Sequence, residues 1–435
     1  MIETINVLLV YPRPDQQKPW RFGYSLNLLY ISSILKLAGF NVTYIDYSTD
    51  VYDENEYLDI LRDVNLVVFE FDAFPLKRTL NIHHGTHLLS ALKVRYKHIR
   101  TIVIGYDCIL RRENVALSDY TFQSEWESSI VDVAYSLIRH GTADQVPIKS
   151  IANLDWLPFP DREVLSERVE RGGNIFTSPN IERSALIQTS RGCVNTCSFC
   201  QRKGWGNRFI SHSIEYSVRE FQSLYEIGYK NIWVTDDNFT FDIRRAKSLL
   251  RKIATECAGH SWKIALSSWS RIDKELLDLC RAAGVSIISF GIESVDNQAM
   301  EFYKKKTDLS SIRDLFNHAN DIGIFCVGNF ILGSPMETPE TIGASIEFAK
   351  SIPIDQVNVK ILDYMIGSDL YDSLPSAIRC GERDIFACKE NGLCNFTDRE
   401  LRDFARAFTD EVSSFHRGRV EQKVRKFGPP YYTNK

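Results

Sequence analysis

Two series of alternating strand and helix signals, one following the other, constrain this chain more than any other feature. In the first, residues 6–10, 42–45, 66–69 and 101–104 are short apolar runs of strand length. Between them lie the helically spaced apolar residues of 28–37 and helical stretches near 54–62, 87–96 and 126–139. Apolar strands alternating with helices predict a parallel sheet covered on both faces. This is a doubly wound, Rossmann-like domain, and such domains bind ligands at the carboxyl ends of their strands. The second series begins at Ser184, with strands predicted at 185–189, 231–235, 262–267, 285–290, 325–332 and 356–362. Six β/α units over roughly 180 residues match the ~30 residues that each unit needs. That count predicts an α/β partial (β/α)6 barrel of the TIM type, open on one side, with its site on the loops after the strands. The domains therefore read as 1–146 (doubly wound), 147–183 (linker), 184–370 (barrel) and 371–435 (a small, mostly helical region). In the last, Thr397 and Glu400 form a capping box that opens a helix through about Phe415.

Composition narrows the function classes. The 435 residues are 44% hydrophobic and 25% charged with a formal net charge of −4, and they contain no long basic run. Nucleic acid is therefore not an expected partner. The first apolar run lacks a basic region before it, and no apolar stretch approaches the ~20 residues that span a bilayer. Neither a signal peptide nor a membrane segment is expected, and a cytoplasmic location is. In that setting clustered cysteines suggest metal ligands or catalysts, and scattered ones such as Cys257, Cys280 and Cys326 suggest small buried hydrophobes.

The cluster is Thr189-Ser190-Arg191-Gly192-Cys193-Val194-Asn195-Thr196-Cys197-Ser198-Phe199-Cys200, directly after the first barrel strand. Three thiolates at C-x3-C-x2-C spacing can bond three irons of a cubane cluster, since thiolates are the soft ligands such clusters take. The missing fourth cysteine leaves one iron open to a bidentate small molecule, as catalytic metal sites do. Chance spacing of buried cysteines is one rival reading. A zinc site is another, and His212, beyond the bulky insert 205–209, is its nearby candidate for a fourth ligand.

The motif and the barrel after it resemble the radical S-adenosylmethionine (SAM) superfamily over about residues 150–372. The resemblance implies that Cys193, Cys197 and Cys200 hold a [4Fe–4S] cluster that cleaves SAM reductively to a 5′-deoxyadenosyl radical. It also implies SAM contacts at successive strand ends. Asp236, Asp237 and Asn238 would receive the amino group, Arg271 the carboxylate, and Glu293 with Ser294 the ribose. Phe199, Gly333 and Pro335 would flank the adenine. The chemistry suits each role: carboxylates for an ammonium and a diol, a guanidinium for a carboxylate.

The whole-chain layout resembles the class with an amino-terminal cobalamin-binding domain. Cobalamin itself is not favoured, because this chain departs from the class pattern. Tyr106 follows Gly105 where paired glycines are usual, Gln123-Ser124-Glu125-Trp126-Glu127 replaces a glycine-bearing acidic turn, and Phe71 adds bulk after the third strand. His83, His84 and His87 are read as surface residues at a helix start and not as cobalt ligands. Cys380, Cys388 and Cys394 are candidates for an auxiliary cluster, as in some relatives. The implied function is hydrogen abstraction from a small-molecule (sugar or specialised-metabolite) substrate. A non-methylating outcome (dehydration, epimerisation, rearrangement or decarboxylation) is the first choice and cobalamin-dependent methylation the alternative. A non-catalytic iron–sulfur electron carrier is the reading from another class. The implied partners are the substrate and an electron donor such as flavodoxin or ferredoxin.

Overall fold

The apolar runs do form the strands expected of them. The computed structural model describes residues 4–13, 24–49, 52–71, 81–105, 117–122, 125–165, 182–201, 208–268, 272–379 and 385–433. The chain divides into two units, one ending at Leu186 and the other running from Ile187 to Thr433.

In the first unit β1 (Asn6–Tyr11), β2 (Asn41–Asp46), β3 (Leu66–Glu70), β4 (Arg100–Ile104) and β5 (Tyr120–Thr121) pair in parallel in the order β2-β1-β3-β4-β5. Four helices connect or flank them: α1 (Leu26–Leu37), α2 (Glu54–Ile60), α3 (Ile82–Arg95) and α4 (Ile130–His140). Ser25 caps α1 by accepting the Leu28 N–H, and Asp53 caps α2 through the Glu56 N–H, each satisfying a donor the helix leaves open. The stretch expected as a connector is docked on this unit. Ser32 donates to Asp161, Ser33 to the Phe159 carbonyl, and the Ile151 N–H to Glu125.

Glu70, at the end of β3, is fully buried and accepts hydrogen bonds from Ser25 and from Asn27 at 2.6 Å. Burial pushes its carboxyl up to about 7; the two bonds oppose that, and the nearby Glu127 and Asp46 add to it. Between pH 4.5 and 7 the native state thus keeps a proton that the unfolded chain has released. Stability should therefore be highest below that window and fall by roughly 3 kcal/mol as pH rises through it. Glu70→Gln is expected to flatten this profile in urea unfolding series at pH 4.5 and 8. An unchanged slope would exclude Glu70 as its source.

The second unit is a six-stranded sheet in the order β13-β12-β11-β10-β9-β6. Its strands are β6 (Ser184–Ile187), β9 (Asn231–Val234), β10 (Lys263–Ser268), β11 (Val285–Glu293), β12 (Phe325–Leu332) and β13 (Gln356–Ile361), with parallel pairing from β9 through β13. Strand order follows chain order and the ends do not meet, which is the open partial barrel. Two short strands, β7 (Ser190–Arg191) and β8 (Ile210–Ser211), form an antiparallel pair outside it. Helices α5 (Ile214–Glu226), α6 (Ile243–Glu256), α7 (Lys274–Ala282), α8 (Asn297–Phe302), α9 (Leu309–Asp321) and α10 (Pro339–Ser351) follow the strands.

Beyond residue 362 the structure is more regular than the sequence suggested. Strand β14 (Asp363–Tyr364) pairs antiparallel with β15 (Ile385–Phe386), and the short α11 (Asp369–Asp372) lies between. The final helix, α12 (Asp398–Phe427), has the expected Thr397–Glu400 capping box but runs thirty residues, well past Phe415. It packs against β13 and α10, with Phe408 against Phe330 of β12. Among the described residues no helix is long and apolar enough to cross a membrane.

Candidate cofactor site

The three cysteines sit on a loop rooted between β6 and β7. Its root is pinned by Asp236, just after β9, which accepts hydrogen bonds at 2.6 Å from the Thr189 N–H, the Thr189 hydroxyl and the Ser190 hydroxyl. Arg245 adds bonds to the carbonyls of Thr189 (2.8 Å) and His212 (3.0 Å). Gly192 carries a φ of +89°, and a Cβ there would lie 2.0 Å from the Arg208 carbonyl oxygen. Glycine alone permits the close turn into the first cysteine. Its N–H donates to Asp237 at 2.6 Å. Further along, the Ser198 N–H and hydroxyl donate to the carbonyls of Tyr303 (3.0 Å) and Phe302 (2.7 Å). The Cys200 N–H closes a turn on the Cys197 carbonyl.

Cys193, Cys197 and Cys200 are all half-buried and unoxidised. Burial pushes the Cys197 thiol up to about 11; Lys305 opposes this, while Cys200, Glu293 and Cys193 add to it. Those causes place all three sulfurs and the Glu293–Lys305 pair in one electrostatic neighbourhood. Asn238, fully buried, points its amide at the Cys193 sulfur from 3.9 Å. Among the described residues no group of three His, Cys, Asp or Glu could hold a single metal ion. Thiolates of a cubane bond three separate irons and have no need to converge. His212, the candidate zinc ligand, is buried and stacked flat on Tyr216 at 3.8 Å.

Glu293 ends β11 with a φ of +66°, where the pairing with β12 slips between Gly291 and Glu293. A positive φ at a residue with a side chain is strained, and a bulge re-aims the side chain it carries. The carboxylate meets Lys305 at 2.5 Å, with both side chains more than nine-tenths buried. Ser294 is buried next to it and accepts the Asp296 N–H. At the end of β12 the Gly333 N–H donates to Glu337, with the Ser334 N–H at 3.2 Å, and Pro335 is exposed on the same turn. Burial pushes Glu337 up to about 7, against those two bonds. Phe199 meets the Tyr303 ring edge-on, centroids 5.5 Å apart.

The structure thus gathers Cys193, Cys197, Cys200, Asn238 and Glu293 at one end of the sheet. It also corrects one expected role. Asp236, a candidate for the SAM amino group, is fully buried and spends both oxygens on Thr189 and Ser190, so it is a loop anchor. Asp237 supports Gly192 beside it. Arg271 and Cys380 lie outside the described residues. Cys388 is buried, and Cys394 is half-buried with its thiol donating to the Phe396 carbonyl at 3.4 Å. Lys305, Arg245 and Tyr303 were missed by sequence reasoning.

In the first unit, the order β2-β1-β3-β4-β5 puts a topological switch point between β1 and β3, where such sheets take their ligands. His84, on the first turn of α3 beside that point, is buried. Its Nδ1 accepts the Arg13 N–H at 2.8 Å, and its Nε2 is buried with no hydrogen-bond partner among the described residues. Burial pushes its pKa down to about 4, and Arg13 and His87 lower it further. The surface reading holds for His83 and His87, which are exposed, and fails for His84. Of the bulky residues weighed against cobalamin, Phe71 and Trp126 are described. Both are buried, at 0% and 2% exposure, and Phe71 packs in the core with Phe69, Ile82, Leu88 and Val103. Gly105 (φ +111°) answers to the chain's own packing, since a Cβ would lie 1.9 Å from the Phe71 carbonyl oxygen. Tyr106, Gln123 and Ser124 lie outside the described residues.

These geometries, a three-cysteine loop on an open parallel barrel that follows a doubly wound unit in the chain, define a class. The barrel is a radical SAM domain, with residues 187–349 matching the radical SAM superfamily. The chain as a whole has the fold of radical SAM enzymes that carry a cobalamin-binding-like domain. It superposes on TsrM, a radical SAM methyltransferase of Kitasatospora setae solved with cobalamin and a [4Fe–4S] cluster, with a TM-score of 0.72 and 16% identity, covering 94% of this chain and 85% of that one. In sequence it is 31% identical over 232 residues to an uncharacterized methyltransferase of Pyrococcus horikoshii, covering 53% of this chain and 49% of the relative. It is 30% identical over 273 residues to the cytidylyl-2-hydroxyethylphosphonate methyltransferase of Streptomyces wedmorensis, covering 60% and 49%. The matched stretch spans about half the length of each of these two relatives. These matches overturn the expected non-methylating reaction, because both of these relatives and TsrM are named as methyltransferases.

Proposed function

We propose that the protein is a cobalamin-dependent radical SAM methyltransferase acting on a small-molecule substrate. The observation that carries this reading is the joint likeness of both units to TsrM, together with the methyltransferase relatives in sequence. In this reading Cys193, Cys197 and Cys200 hold the [4Fe–4S] cluster. Glu293, Ser294, Asp237, Asn238, Arg271, Phe199, Gly333 and Pro335 surround SAM. A reduced flavodoxin or ferredoxin supplies electrons. When bound, the cluster would supply an electron for reductive cleavage of SAM and the corrinoid would carry the methyl group.

In this reading the corrinoid sits at the first unit's switch point, where doubly wound sheets take their ligands. Phe71 packs in the unit's own core with Phe69, Ile82, Leu88 and Val103, and Trp126 is buried. His84 lies beside that point with its Nε2 buried and its ring edge-on to Tyr52, centroids 4.7 Å apart. It is not a cobalt ligand in this arrangement, because accepting the Arg13 N–H at Nδ1 puts the imidazole proton on Nε2.

The remaining chemistry is positioning. Asp236 and Arg245 fix the root of the cysteine loop, Gly192 turns it, and Ser198 ties its far side to residues 302–303. Glu337 orders the turn at Gly333 by taking two backbone N–H groups.

The test needs no substrate. Anaerobically reconstituted protein is offered hydroxocobalamin under reducing conditions, desalted, and given SAM. About one corrinoid per chain should be retained, and S-adenosylhomocysteine should form only when it is present. Loss of all corrinoid on desalting, with 5′-deoxyadenosine as the sole nucleoside product, would rule the reading out.

A further inference from the structure

We propose that Lys305 is a positioning residue of the cofactor site, an ammonium held by Glu293 beside the cysteine loop that sets how readily the cluster takes its electron. The inference rests on the cysteine loop being the cluster site. Nothing in the motif itself points to Lys305, which lies more than a hundred residues downstream, yet the geometry fixes it there. Ser198, between the second and third cysteines, bonds the carbonyls of Phe302 and Tyr303. Phe199 packs edge-on against Tyr303, and the Lys305 N–H bonds the Met300 carbonyl, turning the chain back after α8. The side chain is 7% exposed and its ammonium meets Glu293. A buried charge costs free energy unless it is paired, so this pair persists only where both charges are held in place. The strained φ of +66° at Glu293 is the backbone side of the same arrangement.

A cluster on three thiolates gains negative charge on reduction, and low-dielectric surroundings magnify the effect of a fixed neighbouring charge. Lys305 should therefore favour the reduced state and Glu293 should disfavour it. Removing one or the other gives shifts of opposite sign, which loss of packing alone would not.

The experiment measures the cluster's midpoint potential by anaerobic spectroscopic titration in the full-length reconstituted protein, without SAM. Lys305→Met is expected to lower the reduction equilibrium constant tenfold or more, a shift of at least about 59 mV to lower potential for one electron. Lys305→Arg should keep the parent value, and Glu293→Gln should move it upward. The double variant Lys305→Met/Glu293→Gln, which leaves no unpaired buried charge, should return close to the parent and also controls for folding. Shifts of the same sign in both single variants, or none in either, would overturn the proposal. Iron and sulfide content, measured in parallel, keeps the two readings apart: a parent protein that assembles no cluster defeats the cluster assignment, and a normal cluster with an unmoved potential defeats the role of Lys305.

Discussion

Replacing Cys193, Cys197 or Cys200 with alanine is expected to leave a folded protein that assembles no stable [4Fe–4S] cluster and cleaves no SAM, an activity loss of at least about a thousandfold, because groups that act as a unit fail together. The fold should survive because the loop does not depend on its thiols. Asp236 holds its root, the β7–β8 pair closes its base, and Ser198 fixes its far end through two carbonyls. All three cysteines are half-buried, and substitutions away from the packed core cost little. Cys280→Ala is the informative contrast. That thiol is fully buried in α7, so its loss should cost roughly 1 kcal/mol of stability and leave iron content at the parent level. Iron and sulfide analysis with quantification of 5′-deoxyadenosine checks both. A Cys197→Ala protein with full iron and full SAM cleavage would remove the site assignment.

The contrast between these cysteines shows what was legible in the sequence. Parallel strands buried on both faces read as continuous apolar runs, which is why both sheets could be placed from composition alone. The cysteine loop was legible because soft ligands at short spacing have few other uses. Which side of a strand end a residue faces is a different matter. Asp236, Asp237 and Asn238 are consecutive, and only the fold decides that the first turns into the protein toward Thr189 while the third reaches Cys193. The direction of Phe71 likewise came only from the fold, which packs its ring in the core with Phe69 and Val103. His84 had a signal that went unused, since it shares a spacing of four with Leu88 and Leu92, the buried stripe of α3. Lys305 had none, because a lysine reads as solvated until its partner is known. The reaction type lay in no residue at all. It came from relatives, and fold alone does not settle chemistry.

Asp355→Ala is expected to destabilise the second unit by about 3–5 kcal/mol, the cost of stranding buried charges whose partner is removed. Asp355 precedes β13 and its side chain is 3% exposed. One oxygen takes Arg419 at 2.8 Å and the other takes Lys423 at 2.7 Å, while the Cys326 N–H donates to the carboxylate as well. Both cations come from the part of α12 beyond Phe415. The carboxylate of Asp355 ties that stretch of the helix to the start of β13. Without the carboxylate, Lys423 keeps the Ile324 carbonyl as a hydrogen-bond acceptor, in a buried position. Asp355→Ala/Lys423→Met removes the stranded charge as well and should recover part of the loss, which a simple cavity effect would not allow. Urea unfolding of the full chain measures it, and a midpoint within about 1 kcal/mol of the parent would show that the network does not hold α12. The outcome for iron is as specific. Asp355 lies at the amino ends of the barrel strands and the cysteine loop at the other end, and in barrels of this type the first face serves stability and the second chemistry. Asp355→Ala should therefore lower the unfolding midpoint and still bind a full cluster at low temperature, where Cys197→Ala should do the reverse.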